Sequence, residues 1–185
     1  MKDDELISGC IRGSRKHFNE LYEQYSGLLY AICLRYSRDT DEAKDILQDG
    51  FVKVFQMLEK FDSHKGSLAG WLKRIFINMS IDYSRKKSKI LYSVSPETLG
   101  EDMAEDMDGD SEIYLPEEQI IQLLQELAPG YRIIFNLYVV EKMKHKEIAE
   151  LLKISESTSK TQYSRARQIM QEKIKQFISV NRSVI

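Results

Sequence analysis

The sequence predicts an all-α protein, and three observations carry that prediction. Residues 1–95 contain no proline; the three prolines are Pro96, Pro116 and Pro129. Helix interiors exclude proline because it lacks an N–H and clashes with the preceding turn. Apolar residues recur at spacings of three and four over long stretches, the period of a half-buried helix. No segment alternates apolar and polar residues for long enough to form a strand, and no strand–turn–strand pattern is present.

The elements follow in order. Up to residue 92 the chain predicts three or four helices. Phe18, Leu21, Tyr22, Tyr25, Leu28, Leu29, Ile32 and Cys33 form one amphipathic stripe. Asp39 or Thr40 then caps a second helix, with Glu42 placed to reach back. Its apolar set is Ala43, Ile46, Leu47, Phe51, Val54 and Phe55, and Leu58 and Phe61 carry it into the loop Asp62-Ser63-His64-Lys65-Gly66. A third long helix runs from about Ser67 to Arg85-Lys86-Lys87. Residues 93–116 lack an apolar period and read as an acidic flexible linker. Helices resume at about 117–128, 131–141, 145–152 and 156–178. The expected organisation is therefore two small helical domains, 1–92 and 117–185, joined by residues 93–116.

Charge is segregated along this plan. The formal net charge is −2, from 27 basic and 29 acidic residues. Residues 1–92 sum to +3, residues 93–119 to −10 and residues 120–185 to +5. Two basic blocks flank one acidic block, a pattern of nucleic-acid contact or of a charged spacer. No apolar run approaches the ~20 residues of a membrane helix. The start, MKDDELISG, has acids where a secretory signal has a basic and then an apolar region. A cytoplasmic protein without membrane insertion is expected. Cys10 and Cys33 have no metal-ligand spacing and read as small buried side chains. His17, His64 and His145 are scattered, and no glycine-rich phosphate loop or nucleophile motif is present. No enzymatic activity, no cofactor, no metal and no catalytic residue is expected.

The segment from His145 to Met170, HKEIAELLKISESTSKTQYSRARQIM, has helix-turn-helix spacing. Ile148, Ala149 and Leu152 share one face of a short helix, with Ala149 small where two helices cross. Lys153-Ile154 make the turn, and Ser155 is a good N-cap for the next helix. Lys153 needs the left-handed conformation that glycine adopts most cheaply. On the second helix Tyr163, Ala166, Met170 and Ile174 face inward. Ser157, Thr158, Thr161, Ser164, Arg165 and Gln168 face outward, a set suited to phosphates and base edges.

The segment from Gly66 to Lys87 predicts a helix with a basic outer stripe. On a wheel from Leu68, at about 100° per residue, Trp71, Leu72, Ile75, Met79, Asp82 and Tyr83 make the expected core face. Arg74, Asn78 and Arg85 share another stripe, and Ile77 and Ile81 are expected on the wet side beside it. The exposed loop Asp62–Gly66 precedes the helix, a plausible place to hold an unstacked base. In the helix before it, Asp41, Glu42, Asp45, Gln48 and Asp49 make an acidic stretch suited to a basic protein partner.

At these residues the chain resembles the bacterial RNA polymerase sigma factors of the sigma-70 family, extracytoplasmic-function (ECF) subfamily. DEAKDILQDGFVKVFQ (Asp41–Gln56) and FDSHKGSLAGWLKRIFINMSIDYSRKK (Phe61–Lys87) resemble sigma region 2. Leu127–Arg167 resembles region 4. The resemblance implies binding to RNA polymerase core, through the clamp helices of the largest subunit and the flap of the second-largest, and delivery of the enzyme to promoter DNA. It implies core contacts at Asp45, Gln48, Asp49 and Phe51. It implies −10 element recognition, melting and capture of a flipped base at Ser63, His64, Lys65, Arg74 and Asn78, with Arg85 and Lys86 on the backbone. It implies −35 recognition by Ser157, Thr158, Lys160, Thr161 and Arg165. An anti-sigma factor is implied as a partner. Three positions depart from the family pattern: Ser157 and Lys153 stand where glycine is usual, and Ser159 stands where an apolar residue is usual. A missing middle domain points to the minimal ECF class. The other readings are a stand-alone helix-turn-helix transcriptional regulator, whose first block dimerises, and a helical adaptor that binds only protein.

Overall fold

The computed structural model describes residues 3–87 and 115–182, with side chains to residue 179. The described residues are helical, without strands, as the sequence predicts. The chain divides into two compact units, Met1–Lys87 and Ser88–Ile185. Most of the expected linker, residues 93–114, lies outside the described residues.

The first unit holds four helices: α1 (Asp3–Ile11), α2 (Arg15–Tyr36), α3 (Thr40–Met57) and α4 (Leu68–Lys87). Helices α2, α3 and α4 pack against one another, and α1 packs against α2. The α3 start follows the expected cap, with one shift. The Asp39 carboxylate accepts the Glu42 N–H at 2.8 Å, but Glu42 reaches past the cap to the Arg38 N–H at 3.1 Å. Glu42 is thereby drawn inward to 8% exposure and leaves the acidic surface on which the sequence placed it.

The core face of α4 differs from the expected one. Its buried row is Leu68, Leu72, Phe76, Ser80 and Ser84, an i,i+4 series running down the helix. Ile77 and Ile81, expected on the wet side, are 9% and 2% exposed. Trp71, Met79 and Tyr83 are only half-buried, and Asp82 is exposed. The reason is that α4 is covered by α2 and by α3, so its buried arc is wider than one apolar stripe. Serine fits the row because it back-bonds to its own helix: Ser80 Oγ donates to the Phe76 carbonyl at 2.8 Å. A buried hydroxyl so paired costs little.

Helices α3 and α4 approach closely at Gly50. A Cβ there would lie 2.3 Å from the Phe76 ring. Phe51 continues the contact edge-on to Phe76, with ring centroids 5.6 Å apart, and Tyr22 covers Phe51 at 4.7 Å.

The second unit holds α5 (Glu117–Gln125), α6 (Pro129–Phe135), a π turn at Asn136–Val140, α7 (His145–Leu152) and α8 (Glu156–Arg182). Helix α5 ends before the expected residue 128 because Arg132 takes its carbonyls. Arg132 is 3% exposed. Its Nε donates to Leu124 O at 2.9 Å, and its Nη2 to Gln125 O at 2.8 Å and Leu127 O at 2.7 Å. Pro129 starts α6 two residues before the expected start, at a position where the lost N–H has no helical partner. Leu123, Leu124, Leu127 and Met170 form the core between α5 and α8.

Gly50→Ala is expected to destabilise the first unit by about 1–3 kcal/mol through overpacking, despite alanine's better helix propensity. Urea unfolding followed by the fluorescence of the single tryptophan, Trp71, reads this directly.

Candidate nucleic-acid and partner-binding surfaces

In the first unit the loop before α4 is built from two short 3-10 turns, Leu58–Lys60 and Ser63–Lys65. Asp62 shapes the second turn: its carboxylate accepts the His64 N–H at 3.0 Å and pairs with Lys65 Nζ at 3.4 Å. Gly66 takes φ 145°, a conformation closed to most side chains. Ser67 Oγ accepts the Gly70 N–H at 3.2 Å and starts α4.

These turns and the first turns of α4 enclose a cavity of about 430 Å³. Phe61 and Trp71 form an edge-on aromatic wall, with centroids 5.6 Å apart. Lys60, Lys65 and Arg74 line the same space, and Gly66 and Gly70 leave it open. The cavity is therefore aromatic on one side and cationic at its margin. Of the expected −10 residues, Lys65 and Arg74 line it, while Ser63 and His64 stand exposed beside it. Asn78 follows Arg74 on the next turn of α4 and is half-exposed. Arg85 and Lys86 sit about 16–18 Å beyond Arg74 along α4. Arg85 faces Asp82 at 3.7 Å. Sequence reasoning missed Lys60 and Phe61 and treated Trp71 as core. Two aromatics ten residues apart, bracketing Gly66 and Gly70, were the available signal.

The acidic face of α3 is narrower than expected. Asp45, Gln48 and Asp49 are exposed on one stripe. Phe51 is 4% exposed and packed against Phe76 and Tyr22, so it supports the stripe from behind. Val52, at 53% exposure, takes the surface position instead. Its phase, out of step with Phe51 and Val54, was the missed signal. The Tyr83 hydroxyl donates to Asp45 at 3.4 Å, tying α4 to this stripe.

In the second unit the turn between α7 and α8 forms as the sequence predicts. Lys153 adopts φ 57°, ψ 47°, and the Ile154 N–H bonds to Ala149 O at 3.1 Å. Ser155 Oγ accepts the Thr158 N–H at 2.9 Å and caps α8. Ser157 and Thr158 hydroxyls lie within 2.9 and 2.7 Å of the same Ser155 Oγ. Thr161 Oγ1 donates to Ser157 O at 3.0 Å, which leaves its acceptor side outward. Lys160 pairs with Glu156 at 2.8 Å, both partly in water. Such a surface pair is weak, so Lys160 can exchange it for a phosphate. Arg165 is half-buried on the same outer face.

The sequence matches the model of sigma-70 region 2 over residues 21–90 and that of sigma-70 region 4 over residues 117–170. It is 28% identical over 182 residues to the ECF RNA polymerase sigma factor SigW of Bacillus subtilis (strain 168), covering 91% of this chain and 95% of SigW. The chain belongs to the ECF group of the sigma-70 family. It is also similar to the ECF RNA polymerase sigma factor SigM of the same organism, 27% identical over 150 residues, covering 81% of this chain and 90% of SigM. The fold agrees with that of the sigma factor RpoE of Bartonella quintana, solved with the anti-sigma factor NepR. The TM-score is 0.53 at 21% identity, over 86% of this chain and 98% of that one.

One feature of this family member was not legible in its sequence. Ser159 is 0% exposed. It is paired with His145 Nδ1 at 2.9 Å. The His145 ring stacks on Tyr138, with centroids 4.4 Å apart and planes 14° apart, and lies 5.7 Å from Tyr163. Both cysteines are buried, and burial pushes the Cys33 thiol up to about 12, which leaves it inert. No helix among the described residues is long and apolar enough to cross a membrane.

Burial, with the Lys160 charge adding to it and Glu156 opposing it, holds the His145 ring below the ordinary histidine value. The folded protein thus binds this proton more weakly than the unfolded chain does. The contribution of this group to stability is complete above about pH 6.5, the unfolded value. It falls as the pH drops from there toward the folded value. An NMR titration of the His145 ring checks this; a midpoint at or above the ordinary value contradicts it.

Proposed function

We propose that this chain binds RNA polymerase core and directs it to promoters as an ECF sigma factor. Family membership supports the reading, and one structural observation carries it. The first unit presents an aromatic cavity with a cationic margin, and the second a capped helix-turn-helix. Together they supply a single-strand site and a duplex site in one chain. Residues 1–92 act as region 2, residues 117–185 as region 4, and residues 93–116 as the spacer between them. This chemistry needs no catalytic side chain and no cofactor. The protein works in the cytoplasm, on the nucleoid when bound to polymerase.

Core polymerase docks on the α3 stripe of Asp45, Gln48 and Asp49, with Val52 as its apolar centre and Phe51 behind. An exposed apolar residue beside acids suits a basic partner with a hydrophobic anchor point. Promoter melting uses the cavity. Holding an unstacked base repays part of the cost of breaking the pair, a few kcal/mol per flipped base. Lys65 and Arg74 meet the backbone or the base edge there, with Ser63, His64 and Asn78 beside them and Arg85 and Lys86 further along the strand. Ser157, Thr158, Lys160, Thr161 and Arg165 read the −35 duplex from α8, the second helix of the motif, which enters the major groove. An anti-sigma factor regulates it by covering these surfaces. A stretched spacer of 24 residues reaches at most about 80 Å, enough for elements about 70 Å apart.

Run-off transcription with purified core and a promoter library tests the function; no template-specific initiation overturns it. Val52→Asp is expected to weaken core binding about tenfold or more, read by titration of labelled protein with core. Lys65→Ala with Asn78→Ala is expected to suppress promoter opening on a permanganate footprint. Thr161→Ala and Arg165→Ala are each expected to cost about 1–3 kcal/mol of upstream-element affinity.

A further inference from the structure

Most of the outer face of α8 is available to DNA, but what holds the helix at its angle is a polar contact. Helix α8 crosses α7 over Ile148, Ala149, Leu152 and Ala166, all buried. These apolar contacts tolerate sliding, because dispersion and burial are non-directional. Ala149 and Ala166 are also small, so they give the helices no interlocking ridge. A directional side-chain contact in the crossing joins His145, the first residue of α7, to Ser159, in the first turns of α8. It spans the whole turn between the two helices.

Three facts separate this contact from ordinary packing. Ser159 is fully buried, so it touches no DNA, and a hydroxyl left unpaired there would cost about 1–3 kcal/mol. Its partner atom is the ring nitrogen nearest the His145 backbone, which has little rotational slack. The ring itself is held flat against Tyr138, and Tyr138 packs on Tyr163 of α8 at 4.3 Å. The histidine is therefore fixed on one side by the stack and on the other by the serine.

We propose that the His145–Ser159 hydrogen bond is a positioning latch, which sets the register of α8 on α7 and so the presentation of Thr161 and Arg165 to the −35 bases. His145 and Ser159 act through α8 and make no base contact themselves. The inference rests on the reading of α8 as the DNA-reading helix.

The test uses full-length protein bound to core polymerase, on a promoter selected from the library by wild-type holoenzyme. Its readout is the affinity for the upstream element, measured by protection against templates with that element scrambled. His145→Ala and Ser159→Ala are each expected to weaken it about three- to tenfold, and the double variant no further than the worse single. His145→Asn puts an amide atom near the Nδ1 position and is expected to return within about twofold of wild type. His145→Phe keeps the stack without the nitrogen and is expected to behave like His145→Ala. Thermal melting of each variant accompanies the binding data, and the comparison of Asn with Phe is made at equal folded fraction. Multiplying losses in the double variant, or full affinity of His145→Phe, would overturn the latch. Wild-type holoenzyme that ignores the upstream element would overturn the assignment of α8 to DNA, and the latch with it.

Discussion

The first unit depends on the seat that Gly50 provides for the Phe76 ring. Without a side chain at residue 50, α3 and α4 approach until the ring rests on the α3 backbone. That approach buries the long row from Leu68 to Ser84. It also leaves each helix one uncovered side. The free side of α3 is acidic around Val52, and the free side of α4 is basic. Two surfaces of opposite charge therefore share one core. The Tyr83–Asp45 hydrogen bond joins them across the α3–α4 contact.

The second unit solves a different problem with polar groups. Three of its helices, α5, α6 and α7, are short, and its turns must be fixed within a small core. Arg132 is buried where a hydrophobic residue would pack as well, but it ends α5 by binding three carbonyls at once. Removing a charge so paired leaves the acceptors stranded in a dry site, and that makes the contact specific rather than merely favourable. The pairing of His145 with Ser159 follows the same logic at the other end of the unit. Each fixes an angle that apolar contacts alone leave loose.

The net charge of −2 describes neither unit. Both helical blocks are net basic, and the acids are concentrated between them or on the α3 stripe. A two-site reader of DNA gains from this arrangement. Each basic block keeps its attraction for phosphate, while the chain as a whole avoids the non-specific binding of a uniformly basic protein.

The sequence by itself determined the helical class, the two-block organisation, the start of α3 at Asp39 or Thr40, the Ser155 cap and the helix-turn-helix with its left-handed Lys153. Each depends on contacts within a few residues, so local pattern suffices. That Lys65 and Arg74 are basic residues near the start of α4 was legible, but that they line one cavity with Phe61 and Trp71 was not. Only the tertiary structure decided which arc of α4 is buried. A wheel assumes one covered side, and α4 has two, so Ile77 and Ile81 went inward while Trp71 became a cavity wall. The same holds for Phe51, Val52 and Glu42 on α3, whose exposure is set by neighbouring helices and by a cap that reaches Arg38. It holds above all for Ser159. A buried serine is legible as an oddity, but its partner lies fourteen residues away across a turn, and only the fold brings the two atoms within hydrogen-bonding distance.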